Sequence, residues 1–429
     1  MRGNVDLSKQ INQWLLENKH DGIKLLQRLV QAGSTQGNEA KAQTIILNTL
    51  TDMGLDIDLW EPNGEELQKN PYFASSRSEF MGSPNIVGIL RGKGEGRSII
   101  LNGHIDVVPA GDMEQWNIDP YSGMIKDGNM YGRGVTDMKG GNVALLMAMR
   151  ALQALNINLK GDVIFESVIE EESGGAGTLA SILRGYTADA ALIPEPTNMK
   201  IFPKQQGSMW FRLHVKGQSA HGGTRYEGVS AIEKSMVVVD HILKLEKRRN
   251  ERITDPLYKK IPIPIPINIG KIEGGDWPSS VPDLVKVEGR MGVSPEETME
   301  DAKAEMESWM KKIGETDSWF TEHPVRLEWF GARWLPGAIE VEHPLVQSLS
   351  KNYQTVLNQI PTIEASPWGT DGGLLTKVGE TPSIVFGPGV TEKAHFPNEY
   401  IVLDRVFEAA EIIALTLVDW CGVYDEGSL

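Results

Sequence analysis

The feature that most constrains this chain is an arrangement repeated three times in its first half, a short apolar run that ends abruptly in ionisable residues. SIILN (98–102) leads into His104 and Asp106, DVIFESVI (162–169) into Glu170, Glu171 and Glu172, and AALIP (190–194) into Glu195. Buried strand-like runs separated by helical patterns specify an α/β fold with a mixed sheet flanked by helices. Open α/β sheets bind ligands outside the carboxyl ends of their strands, so the three runs carry their ionisable residues to one edge. His104 and Asp106 are two apart, which in a strand places both side chains on one face. That suits a metal-bound imidazole whose other ring nitrogen is held by a carboxylate. A capped loop would carry the same pair, so the weight falls on what the rest of the chain supplies.

At 429 residues the chain is long enough for two domains. Its 40% hydrophobic and 23% charged residues describe a globular protein. A net charge of −16 without a basic run argues against nucleic acid and anionic membranes as partners. A single cysteine, Cys421, excludes an internal disulfide framework, and MRGNVDLSKQ lacks a signal-peptide apolar core, so the expected location is the cytoplasm. Periodicity predicts two helices over 7–31 broken near Asp21-Gly22, a third over 38–53, and a strand over 55–60. The loop that follows, 61–84, is long enough to be functional or mobile. Between 209 and 329 the order strand, helix, strand, strand, helix, strand is the ferredoxin-like α+β pattern. The α/β pattern then resumes. The expected organisation is a catalytic domain of 1–206 and 334–429 with an inserted domain of 207–333.

The candidate ligands are His104, Asp137, Glu172, Glu195 and His395. Asp137 lies between Gly132-Arg133-Gly134 and Gly140-Gly141, where it reads either as a helix N-cap or as an inward-facing carboxylate. Imidazole and carboxylate ligands without thiolates suit a catalytic zinc, cobalt or manganese site. Two ions sharing a carboxylate would lie ~3.5–4 Å apart with a hydroxide between them. Glu171, adjacent to a ligand, is placed to move a proton from that water to a leaving amine. His20, His214, His241, His323 and His343 read as surface or packing residues.

The strings NGHIDVVPAG, MYGRGVTDMKGG, EEESGGAGT, PEPTN and FGPG followed by AHFPNE resemble, in order and spacing, the di-metal amidohydrolases and peptidases of the acetylornithine deacetylase and succinyl-diaminopimelate desuccinylase family. Aminoacylase and the glutamate carboxypeptidases belong to the same group. The resemblance covers nearly the whole chain. It implies His104 and Glu195 on one metal, Glu172 and His395 on the second, and Asp137 bridging them. It also implies Asp106 as the carboxylate supporting His104 and Glu171 as general base. VKGQSAHGGTRYEG is similar to the family's K-G-x-x-x-H segment, which makes His221 the oxyanion stabiliser, often in a neighbouring subunit's site. Arg290, in VEGRMG, matches the position of an Arg that binds a substrate carboxylate.

The implied activity is hydrolysis of the amide of a small N-acyl amino acid or N-acyl amine, with a hydroxide bridging two divalent ions as nucleophile. Zinc is the first choice of metal, with cobalt or manganese as alternatives. The implied assembly is a homodimer, with the insert as lid and dimerisation domain. A dipeptidase or carboxypeptidase using the same site is the alternative, and a non-catalytic binding protein a third reading. The chain departs from the family at PSSVPD, where Ser279 or Ser280 stands in place of an Asn, and at GTDGG (369–373), which lacks the desuccinylases' Arg. The 61–84 loop also exceeds the minimal pattern.

Overall fold

The computed structural model describes residues 2–75 and 77–425, with 2–5 described by backbone alone. Helices α1 (Arg2–Glu17), α2 (Lys19–Gln31) and α3 (Ala40–Asp52) open the chain. The break between the first two falls at Asn18, not at the expected Asp21-Gly22. Asn18 turns its side-chain amide back onto the Trp14 carbonyl (2.8 Å), while Gly22 continues the helix. Gly22 serves packing, since a Cβ there would lie 2.8 Å from the Phe407 ring. Strand β1 (Asp56–Trp60) follows, then a single helical turn, α4 (Gly64–Leu67), capped by Asn63.

Next come β2 (Asn85–Leu90), β3 (Ile99–His104), the hairpin β4 (Met124–Lys126) and β5 (Asn129–Tyr131), α5 (Gly140–Ala154), β6 (Val163–Val168), α6 (Ala176–Leu183) and β7 (Ala191–Ile193). The hairpin is absent from the sequence reading, although Asp127 and Gly128, both at positive φ (51° and 77°), are the usual residues of a two-residue hairpin turn. Further on are β8 (Gly207–Lys216), α7 (Ala231–Asn250), β9 (Ile267–Gly274), β10 (Leu284–Val293), α8 (Met299–Lys311) and β11 (Arg326–Trp334). The chain closes with α9 (Pro344–Leu357), α10 (Gly372–Lys377), β12 (Ser383–Val385), β13 (Tyr400–Val402) and α11 (Leu403–Cys421).

Two compact units result. The first comprises the residues up to 204, 337–366 and those from 370 onward; the second comprises 205–336 and 367–369. The first unit is built on a mixed six-stranded sheet in the order β1-β2-β6-β3-β7-β12. β2 is antiparallel to both neighbours, while β6, β3, β7 and β12 run parallel. β3 and β6 are buried along their whole length, as strands covered on both faces must be, which is why they read as continuous apolar runs. α5 and α11 pack together and bury most of their residues.

The second unit is an antiparallel sheet in the order β9-β10-β8-β11, the ferredoxin-like arrangement. Along β8, Met209, Phe211, Leu213 and Val215 are buried, while Trp210, Arg212 and His214 on the opposite face are only partly covered. That alternation is what a sheet with helices on one face requires. Among the described residues no helix is long and apolar enough to cross a membrane.

Candidate metal centre

The site forms at the carboxyl edge of the first unit's sheet. His104 ends β3 in register with Val168 at the end of β6. Gly103 before it tolerates no side chain, since a Cβ would stand 1.8 Å from Asn142 Oδ1. Asn142, in the first turn of α5, donates to the His104 carbonyl at 2.7 Å, so helix and strand end are joined directly. After β6 the chain turns sharply through Glu170 (φ 65°), Gly174 (φ 124°) and Gly175 (φ 78°), which sets Glu171 and Glu172 across the sheet edge. Glu195 follows β7 and is buried.

Asp106 differs from expectation. Its main-chain oxygen, not its carboxylate, meets His104 Nδ1 at 2.9 Å; the carboxylate lies 3.7 Å away. The carboxylate instead accepts the backbone N–H groups of Glu171 (3.2 Å) and Glu172 (3.1 Å). The chain bends immediately after β3, which turns the Asp106 peptide back onto the ring and frees its side chain to hold the neighbouring turn. Nδ1 is engaged there, so Nε2 is the nitrogen that faces Asp137 and Glu195.

Asp137 lies in a tight turn, Val135–Lys139, and does not cap the helix that follows. Glu399 accepts the Thr136 N–H (2.9 Å) and the Asp137 N–H (3.3 Å) and is paired with buried Arg133 at 2.7 Å. Pairing of β13 with β5 brings Glu399 and His395 to this turn. The sequence reading missed Arg133, Glu399 and Asn142. An Arg and a Glu inside the two motifs that also hold Asp137 and His395 were the available signal.

The two oxygens of Asp137 face different imidazoles. Oδ1 is 3.2 Å from His104 Nε2, and Oδ2 is 3.2 Å from His395 Nε2. His104 Nε2 also lies 3.7 Å from Glu195, and His395 Nε2 lies 3.0 Å from Glu172. Two sets, His104 with Glu171 and Glu195, and His104 with Asp137 and Glu172, each bring their ligand atoms within 4.8 Å of one another. His395 is half exposed (51%), which leaves that side of the site open to solvent.

Crowded buried carboxylates disturb one another. Burial and then the Asp137 charge push Glu195 up to about 8, and burial lifts Asp106 to about 8. Burial and the Glu195 charge hold Glu171 well above the ordinary range. Asp137 goes the other way: burial would raise it, but hydrogen bonds from both imidazoles hold it well below. His395 rises to about 11, chiefly through the Glu172 charge. So much buried negative charge around two imidazoles fits divalent cations, which neutralise the carboxylates and leave the imidazoles neutral, their ligand form. Beneath the edge, Asn102 links Glu166 (2.8 Å) to Thr178 (3.0 Å), and Thr178 donates to Asp371 (2.6 Å). Burial raises Glu166 to about 8 and Asp371 to about 6.

The other two expected residues lie in the second unit. His221 is exposed and pairs across a short ladder with Ser280, one of the two serines at the Asn position. Its Nδ1 accepts the Gly223 N–H at 3.0 Å, so Nε2 carries the proton. Arg290 lines a cavity of about 300 Å³ with Trp210, Phe330 and Asn268. His241 stacks on Trp309 and His343 caps α9, both packing roles.

Fold and site together define a metal-dependent hydrolase of amide or peptide bonds. The chain belongs to peptidase family M20/M25/M40, whose model matches residues 100–419. It is 32% identical over 432 residues to the N-formyl-4-amino-5-aminomethyl-2-methylpyrimidine deformylase of Bacillus subtilis, covering 94% of this chain and 96% of that protein. It is 27% identical to the acetylornithine deacetylase of Edwardsiella ictaluri, with 90% and 92% covered. The di-peptidase Dug1p of Saccharomyces cerevisiae shares the fold, with TM-score 0.77, 14% identity, and 96% and 98% covered. So does the YXEP protein of Bacillus subtilis, described as a dinuclear metal binding peptidase, with TM-score 0.62, 15% identity, and 95% and 99% covered.

Proposed function

We propose that this protein removes a short acyl group from a small N-acyl amine or N-acyl amino acid, using two divalent ions. The observation that carries this is the single carboxylate of Asp137 with one oxygen toward each of two imidazoles. In this reading His104 and Glu195 would hold one ion, His395 and Glu172 the other, and Asp137 would serve both. Zinc is our assignment, with cobalt or manganese as alternatives. Bound there, the ions would polarise the amide carbonyl and acidify a water.

Glu171 takes the proton of the attacking water and returns it to the departing amine. Its burial disfavours the charged form, which suits a carboxyl group that must hold a proton during the cycle. Asp106 keeps Glu171 and Glu172 in place through their backbone amides. His221 is assigned to the oxyanion, because its protonated Nε2 is free of the Gly223 contact and can donate. Arg290, beside Trp210 and Phe330, is assigned to an anionic or electron-rich part of the substrate.

Deacylation is favoured over peptide hydrolysis because the deformylase and the acetylornithine deacetylase named above share 32% and 27% of their sequence with this chain, whereas the di-peptidase named there is alike in fold alone. A hydrolysis panel on zinc-loaded protein decides: N-formyl and N-acetyl amines, including the formylated aminomethylpyrimidine and N-acetylornithine, against dipeptides. One of the acyl amines should give the highest kcat/KM, and a dipeptide exceeding all of them would overturn the reading.

We further propose a homodimer joined through the free edge of β9, an outer strand of the second unit. α7 runs beside that strand, with Ile232 next to Gly275 and Glu246 accepting the Ile267 N–H at 2.6 Å. Between these ends Met236, Leu243 and Ile272 are exposed. An isologous antiparallel pairing centred on Ile272 sets Lys271 against the partner's Glu273, and the same pair again across the two-fold axis. Light scattering should give a dimer for the wild type and a monomer for Ile272→Asp. A monomeric wild type, or a dimeric variant, would remove the proposal.

A further inference from the structure

The long loop over 61–84 ends beside the turn that carries Glu171 and Glu172, and its contacts there are specific. Arg77 Nε donates to Glu170 Oε1 at 2.5 Å, Nη2 to Glu39 Oε1 at 2.8 Å, and Nη1 to Ser83 Oγ at 3.0 Å. Both carboxylates are fully buried, whereas Arg77 retains 21% exposure. The second oxygen of Glu170 accepts from Ser75 (2.6 Å), Gln36 (2.9 Å) and Ser173 (2.6 Å). The second oxygen of Glu39 accepts from Ser83 at 2.6 Å. In the same loop Ala74 packs on Gly174 so closely that a Cβ there would lie 2.8 Å from the Ala74 oxygen. The loop holds itself in shape: a Cβ on Gly64 would overlap the Ser78 oxygen at 1.7 Å, and Phe80 is buried under the Arg77 guanidinium.

Glu170 is the residue that bends the chain. It adopts the left-handed conformation (φ 65°), which a side chain with a Cβ disfavours and which must be held by its surroundings. Two clamps meet on this turn. The Asp106 carboxylate grips the amides of Glu171 and Glu172 from the sheet side, and Arg77 grips the Glu170 side chain from the loop side. Arg77 is the cation of this cluster, and its planar fork fixes two carboxylates at once, which an ammonium cannot reproduce.

We propose that Arg77 is a positioning residue for Glu171 and Glu172, and that the 61–84 loop is a support of the metal centre through it. The inference rests on the two-ion reading above. Removal of Arg77 takes the guanidinium away from two buried carboxylates, so Glu170 loses its charged partner and the turn loses the restraint that aims its neighbours.

The test is a chelator-competition titration with zinc, read without substrate, on wild type, Arg77→Met, Arg77→Lys and a core control in the same unit, Ile46→Val. Groups that orient metal ligands typically alter metal affinity by about 10–100-fold. Arg77→Met should weaken at least one of the two zinc constants by that factor, Arg77→Lys should recover part of the loss, and excess zinc should restore kcat with KM little changed. Ile46→Val should lower the melting temperature and leave both zinc constants alone. Wild-type zinc constants in Arg77→Met would overturn the proposal, whatever its melting temperature. If Arg77→Met yields no folded protein, Arg77→Lys is read by the same criterion, and unchanged constants there would overturn it. A wild type that binds no zinc would instead remove the two-zinc reading on which this inference rests, and the inference with it.

Discussion

Asp137→Asn should give a folded protein that holds neither ion. Asparagine keeps the volume of the side chain but offers one neutral oxygen in place of the two that face His104 and His395 at 3.2 Å each. Both halves of the centre lose the same ligand, so metal content by elemental analysis should fall from about two ions per chain towards none. Turnover should fall by at least about 10³-fold, equivalent to roughly 4 kcal/mol of transition-state stabilisation. The backbone of the turn is held independently by Glu399 and Arg133, so circular dichroism should stay near that of the wild type. Full metal content with full activity in this variant would remove Asp137 from the centre.

Glu171→Gln should separate chemistry from binding. Its backbone N–H, which Asp106 holds, is unchanged by the substitution, and the ligands on either side of the turn remain. Metal content should therefore match the wild type while kcat falls by about 10²–10⁴-fold, the usual contribution of a positioned acid or base. That range corresponds to roughly 3–5 kcal/mol. KM should move little, because the amide cannot transfer a proton but occupies the same space. Unchanged turnover would end the assignment of Glu171 as base, and loss of metal would make it a ligand.

These two residues also mark how the site could be read from the sequence. Glu171 follows the end of a strand and Asp137 precedes the start of a helix, and nearby glycines marked both turns, although Asp137 still read either as an N-cap or as an inward-facing carboxylate. The strand ends at His104, Glu171, Glu172 and Glu195 were legible for a similar reason: a strand buried on both faces writes an unbroken apolar run, and its end is where polar residues begin. Helix boundaries were read less well. Gly22 looked like a break but serves a close approach to Phe407, a partner 385 positions away that periodicity cannot report.

What stayed hidden was pairing across distance. Arg133 with Glu399 spans 266 positions and Arg77 with Glu170 spans 93, and neither leaves a local periodic trace. Asp106 belongs in the same group, because the choice between its carboxylate and its peptide oxygen as the partner of His104 depends on how the chain bends after β3.

By itself, then, the sequence determined which side chains are available at the edge of which strands, since burial and turn chemistry are written locally. The tertiary structure alone decided which oxygen of Asp137 faces which imidazole, that Asp106 holds Glu171 and Glu172 by their amides, and that Arg77 reaches Glu170 from the long loop. The physical reason is that a hydrogen bond selects its partner within about 3 Å and by direction, quantities that exist only once distant segments are packed together.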